Sequence, residues 1–114
     1  MRELVFTYNA DSGIANALID YGKKYLAPGS YDCQLCMLSY GPFGMKRDWK
    51  KFIESLDADV RFLHKDEFES EFPDWNVDHP SLIDAVQRRV LISSNDFANI
   101  SSMEDLKTRV SKVL

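Results

Sequence analysis

The chain has 114 residues, 45% of them hydrophobic and 12% aromatic, and a net charge of −4. That length and apolar content bury one core, so residues 1–114 read as a single domain. The acidic balance excludes a general binder of nucleic acid or acidic membranes, no apolar run reaches spanning length, and two cysteines are too few for a secreted disulfide framework.

In chain order, Leu4-Val5-Phe6-Thr7-Tyr8 is a β-branched and aromatic run ended by Asn9-Ala10-Asp11-Ser12-Gly13. Ile14, Ala17, Leu18, Tyr21 and Tyr25 then recur at helical spacing, and Pro28-Gly29 stops that helix. Cys33 to Ser39 is a second apolar run, taken as a strand and closed by Tyr40-Gly41-Pro42-Phe43-Gly44. Trp49, Phe52, Ile53 and Leu56 form the stripe of a second helix, and Val60 to His64 reads as a strand. A short helix over Asp66–Phe72 is expected, capped by Asp66. The runs Leu82–Val86 and Arg89–Ser93 predict a hairpin. Ser101-Ser102-Met103-Glu104 offers a capping box to a last helix with Met103, Leu106, Val110 and Val113 on its apolar face.

The predicted order is β-α-β-α-β-α-β-β-α, an α/β class. Strands joined through helices run parallel, the final hairpin adds antiparallel strands, and helices cover both faces of one mixed sheet. That order resembles the thioredoxin-like superfamily. His79-Pro80, just before a strand, stands where that family has its cis-proline, and Tyr40-Gly41-Pro42-Phe43 stands where it carries Cys-Gly-Pro-Cys. On this resemblance Tyr40 and Phe43 replace both redox cysteines. Thioredoxin-type dithiol exchange is then lost, since neither side chain can do it. The chain is also similar to small uncharacterised bacterial proteins with a Tyr-x-Cys-x-Leu-Cys stretch followed by Gly-x-Phe-Gly, a likeness that implies no activity.

The cysteines admit three readings. Cys33 and Cys36 can be small apolar side chains, and on a strand residues three apart point to opposite faces and cannot pair. They can form a dithiol switch, with Asp32 raising the thiol pKa. They can also hold a metal, but zinc wants four ligands and only His64 and His79 remain as strong candidates. His64, among carboxylates, is either a general base or a surface histidine. Asp11, Ser12 and His79 assemble into a triad on paper, but Gly-x-Ser-x-Gly is absent. Lys46 and Arg47 at a helix start are either an anion site or an exposed basic turn. The acidic stretch Asp66–Phe72 lacks calcium-loop spacing and reads as a solvated amphipathic helix.

These readings lead to a non-catalytic thioredoxin-like binding module of unknown ligand, with a cleft formed by Tyr40, Gly41, Pro42, Phe43, His79 and Pro80. The alternative is a thiol redox or metal-binding protein acting through Cys33 and Cys36. No cofactor is expected. The partner is an unknown protein or small ligand, with no nucleic acid and no membrane. The N-terminus enters a strand pattern directly, without a signal peptide, so the expected compartment is the cytoplasm.

Overall fold

The run Leu4-Val5-Phe6-Thr7-Tyr8 has no charge on either side of the strand it forms, and it becomes the buried centre of a four-stranded mixed sheet. The computed structural model describes residues 2–9, 34–41 and 44–114. The first elements are β1 (Arg2–Tyr8), α1 (Gln34–Ser39), β2 (Tyr40–Gly41), β3 (Gly44–Met45) and α2 (Arg47–Glu54). They are followed by β4 (Ala58–His64), α3 (Lys65–Glu71), β5 (Ser81–Asp84), β6 (Arg89–Ile92), α4 (Ser94–Ala98) and α5 (Met103–Val113).

The sheet order is β4-β1-β5-β6. Strand β1 runs parallel to β4, with Phe6 beside Phe62, and antiparallel to β5, with Phe6 beside Leu82. Strands β5 and β6 close the sheet as an antiparallel hairpin.

Alternation along β1 divides the interior in two. Leu4, Phe6 and Tyr8 face the larger cluster, against Leu82, Ile92, Trp49 from α2, Phe97 from α4, and Leu106 and Val110 from α5. Phe6 stacks on Phe62 at 5.1 Å and meets the Trp49 ring edge-on at 5.4 Å. Val5 and Ile83 face the opposite way, against Phe68 of α3, with Phe72, Trp75 and Val77 packed round them. Full burial of such a side chain contributes about 1.5–3 kcal/mol. The exposed Arg61–Glu71 pair contributes only about 0–1 kcal/mol, so the two apolar faces and not the ion pairs hold the sheet.

The segment 34–39 corrects the sequence reading. It is helix, not strand, so Cys36 lies in α1; Leu35 is buried and its carbonyl accepts the Ser39 hydroxyl at 2.6 Å. Gln34-Leu35-Cys36-Met37-Leu38 contains no β-branched residue, and Leu, Met and Gln lose little rotamer freedom in a helix. Tyr40-Gly41 and Gly44-Met45 then pair as a separate two-stranded ribbon. Tyr40 therefore does not follow a strand of the main sheet. The predicted helix from Ile14 to Tyr25 lies outside the described residues, as do Cys33, Pro42 and Phe43.

Two caps also differ. His64, not Asp66, is the N-cap of α3, and Glu67 completes a reciprocal box with it. Ser102 caps α5 by accepting from the Asp105 amide at 3.1 Å. The short helix α4, capped by Ser93, has no counterpart among the expected elements.

The hairpin turn is held by Asp84, whose Oδ1 accepts the amides of Val86 and Gln87 at 3.0 and 2.9 Å. Arg88 closes the turn at φ 53°, the left-handed region, with its guanidinium 4.9 Å above the Trp75 ring. A side chain with a Cβ pays roughly 1–2 kcal/mol for that backbone, and glycine does not. Arg88→Ala keeps the backbone cost and loses the cation–π contact, whereas Arg88→Gly loses only the contact. Urea denaturation should therefore find Arg88→Ala less stable than Arg88→Gly by about 1 kcal/mol.

Candidate functional site

Parallel β1 and β4 both end at the same side of the sheet, at Tyr8 and His64, and antiparallel β5 begins there at Ser81. The segment entering β5 carries His79 and Pro80, joined by a cis peptide bond. Residues distant in sequence therefore meet at one end of the central strand.

Thr7 is the hub. Its Oγ1 accepts the Ser81 amide at 3.0 Å, lies 2.9 Å from Ser81 Oγ and 2.7 Å from His79 Nδ1. One hydroxyl has one proton and two lone pairs, and the Ser81 amide occupies one lone pair. Of the other two partners, then, one donates to Thr7 and the other accepts from it. Neutral His79 can take the Thr7 proton while Ser81 donates; protonated His79 must donate, and Thr7 then turns to Ser81. Both arrangements satisfy every atom, so the network holds the imidazole in place in either charge state. Nε2 of His79 has no hydrogen-bond partner among the described residues.

Thr7 and Ser81 are fully buried, while His79 is half-buried and the Phe68 ring meets it edge-on at 5.3 Å. A buried hydroxyl is out of a substrate's reach, so Thr7 and Ser81 position the imidazole and do not act as nucleophiles. Burial pushes the His79 pKa below 6.5, against the pull of Glu69 and Asp78, which raise it, and together with Lys65, which lowers it.

His64 lies on the other side of Tyr8, its ring 5.5 Å from that of Tyr8. Its Nδ1 is 2.7 Å from Glu67 Oε1, and its backbone amide donates to the same oxygen at 2.9 Å. These contacts hold the Glu67 carboxyl below its ordinary range. An open depression of about 580 Å³, lined by Leu63, Asp66, Glu67, Ser70 and Glu71, adjoins this pair. A second groove, of about 370 Å³, runs along Phe52, Lys107, Thr108, Ser111 and Lys112. It belongs to the far end of the molecule, because Arg2 at the start of β1 donates to the Val113 carbonyl at the end of α5.

Of the residues singled out in the sequence, His79 and Pro80 stand together at this sheet end, and His64 flanks it. Tyr40 and Gly41 lie in the separate ribbon, and Cys36 lies in α1. Among the described residues no group of three or more His, Cys, Asp and Glu side chains could hold a metal ion, and no helix is long and apolar enough to cross a membrane. Thr7 and Ser81 escaped the sequence reading; strand pairing across 74 residues, which no local motif marks, brings them together. No family model, curated protein or solved structure matches the chain.

The His79 environment gives a signed pH dependence. Its folded pKa is lowered, so the unfolded chain binds the proton first as pH falls. Stability from this group is complete above the ordinary value of 6.5 and declines as pH falls through it toward the folded pKa. Glu67 and Glu71, also lowered, weaken the fold only at lower pH, below their ordinary 4.5. Denaturation midpoints between neutral pH and pH about 5 should fall for the wild type and stay flatter for His79→Gln.

Proposed function

We propose that the chain is a thioredoxin-like, non-catalytic binding module that holds a protein or small ligand at the His79–Pro80 end of its sheet. The strand order β4-β1-β5-β6, with a parallel pair beside an antiparallel hairpin and a helix after it, supports the family likeness. The observation that carries the binding reading is the Thr7–His79–Ser81 constellation. It fixes one imidazole by its Nδ1, and Nε2, without a hydrogen-bond partner among the described residues, is the atom that would meet a ligand.

Pre-organisation of that kind lowers the entropy cost of binding. The half-buried Phe72 and Trp75, packed at 5.1 and 5.9 Å on the buried Phe68 that meets His79, offer aromatic area beside the polar contact. The ligand this end accepts has a hydrogen-bonding group for Nε2 and an apolar portion for the aromatic wall. Neutral His79 meets it near neutral pH.

Screening a mixed fragment and peptide library by amide NMR tests this. Shifts should centre on residues 7, 64, 79 and 81, and His79→Ala should weaken the best hit at least about tenfold with the fold intact. Hits mapping elsewhere, or unchanged affinity in His79→Ala, would contradict the proposal.

A second reading, thiol redox or metal binding through Cys33 and Cys36, is favoured by the helical placement of Cys36. The objection to pairing rests on a strand, and Cys36 does not lie on one; Cys33 lies outside the described residues. Thiol titration under oxidising and reducing conditions, with metal analysis of the purified protein, decides it. Reversible loss of both thiols, or one zinc per chain, supports the redox or metal reading. Two unreactive, metal-free thiols leave the binding module alone.

A further inference from the structure

Strand β4 ends the sheet, and among the described residues no strand pairs with its outer edge. It is seven residues long, as long as the central strand, whereas the opposite edge strand β6 has four. An open edge of that length is a template for another strand. Its side chains alternate in character as well as direction. Asp59 and Arg61 are exposed on one face, while Ala58, Val60 and Phe62 are half-buried on the face of the large apolar cluster.

We propose that β4 pairs with β4 of a second copy of this chain, antiparallel about a two-fold axis through Val60. The register follows from charge. In an antiparallel ladder, opposed residues both point their amides at the partner strand or both away, so the axis must pass through a residue and not between two. Centred on Arg61, the pairing sets Arg61 against the partner's Arg61. Centred on Asp59, it sets Asp59 against the partner's Asp59, and the Asp57 that would then face the partner's Arg61 lies outside β4. Centres one step further out oppose Asp57 to the partner's Asp59 or Arg61 to the partner's Leu63. Centred on Val60, it sets Asp59 against the partner's Arg61 and, by symmetry, Arg61 against the partner's Asp59. On the other face Val60 meets the partner's Val60 and Ala58 meets the partner's Phe62, which continues the apolar face from one copy into the next.

Within its own chain Asp59 stands beside Glu3 in the β1–β4 register and makes no ion pair among the described residues. Like charges on neighbouring strands are destabilising. Arg61, though close to Asp59, is directed to Glu71, with Nη1 donating to Oε1 at 3.0 Å and a second contact from Nη2 to Oε2. The partner's Arg61 would give each Asp59 a directly opposed cation in addition to the Arg61 of its own strand, which is engaged with Glu71. Such an interface is isologous and closed, producing a dimer with one continuous eight-stranded sheet and not a fibre.

Sedimentation velocity of the whole chain, from low micromolar to submillimolar protein, tests the proposal together with two charge-reversal variants. Wild type should pass from monomer to dimer as concentration rises, and added salt should weaken the dimer. Asp59→Arg and Arg61→Asp should each weaken dimerisation at least about tenfold, because each turns two attractive pairs into repulsive ones. Mixing the two variants should restore a dimer, since the mixed pair has opposite charges at all four positions. Hydrogen exchange on the wild type gives an answer even if a variant fails to fold: amides in 58–64 should gain protection with concentration. A monomer at every concentration would overturn the proposal and leave the two charges as guards of a bare edge. A dimer indifferent to both substitutions, no recovery on mixing, or unchanged exchange in 58–64 would also overturn it.

Discussion

Everything in this molecule depends on β1 being buried on both faces. A strand with apolar side chains up and down needs a cover on each side and a partner on each edge. Parallel β4 and antiparallel β5 supply the edges, α2 and α5 one cover, and α3 the other. Once that strand is fixed, its last residues are fixed too. Thr7, pointing to the smaller cluster, meets the chain where β5 begins, and Tyr8, on the opposite face, stands beside His64. The candidate site is thus a consequence of the core, reached without a separate structural device.

The chemistry of that end follows from its dryness. Thr7 and Ser81 are sealed from solvent, and the imidazole they hold is only half-sealed. A hydroxyl network can re-orient its protons round a histidine without moving a heavy atom, so charge on His79 breaks no contact. Burial, helped by Lys65, then lowers the His79 pKa, since Glu69 and Asp78 act the other way. Nδ1 is taken by Thr7, so Nε2 is the ring nitrogen without a hydrogen-bond partner among the described residues.

Much of the fold was legible in the sequence where local signals were strong. The Trp49–Leu56 stripe and the apolar face of α5 were readable because their periodicity matched their final burial, and the hairpin because its two runs flank a tight turn, although Val86 and Val90 end up exposed. The segment 34–39 was misread because a short apolar run does not distinguish strand from buried helix by periodicity. The discriminating signal was present, in the complete lack of β-branched residues from Gln34 to Ser39. His64 was missed as a cap because histidine is outside the usual capping residues, although Glu67 three residues later is the usual box partner. His79 and Pro80 were visible as candidates, but Thr7 was not. Its role exists only after β1 and β5 pair.

The central claim is that Thr7 holds His79 at the sheet end in a partly dry site. Imidazole nitrogen NMR of His79 across pH, in the wild type and in Thr7→Val, measures this directly. The account predicts a His79 pKa below 6.5 in the wild type, with an Nδ1 shift marking a hydrogen bond that disappears in Thr7→Val. A wild-type His79 that titrates at or above 6.5, with Nδ1 indifferent to the loss of the Thr7 hydroxyl, would contradict it.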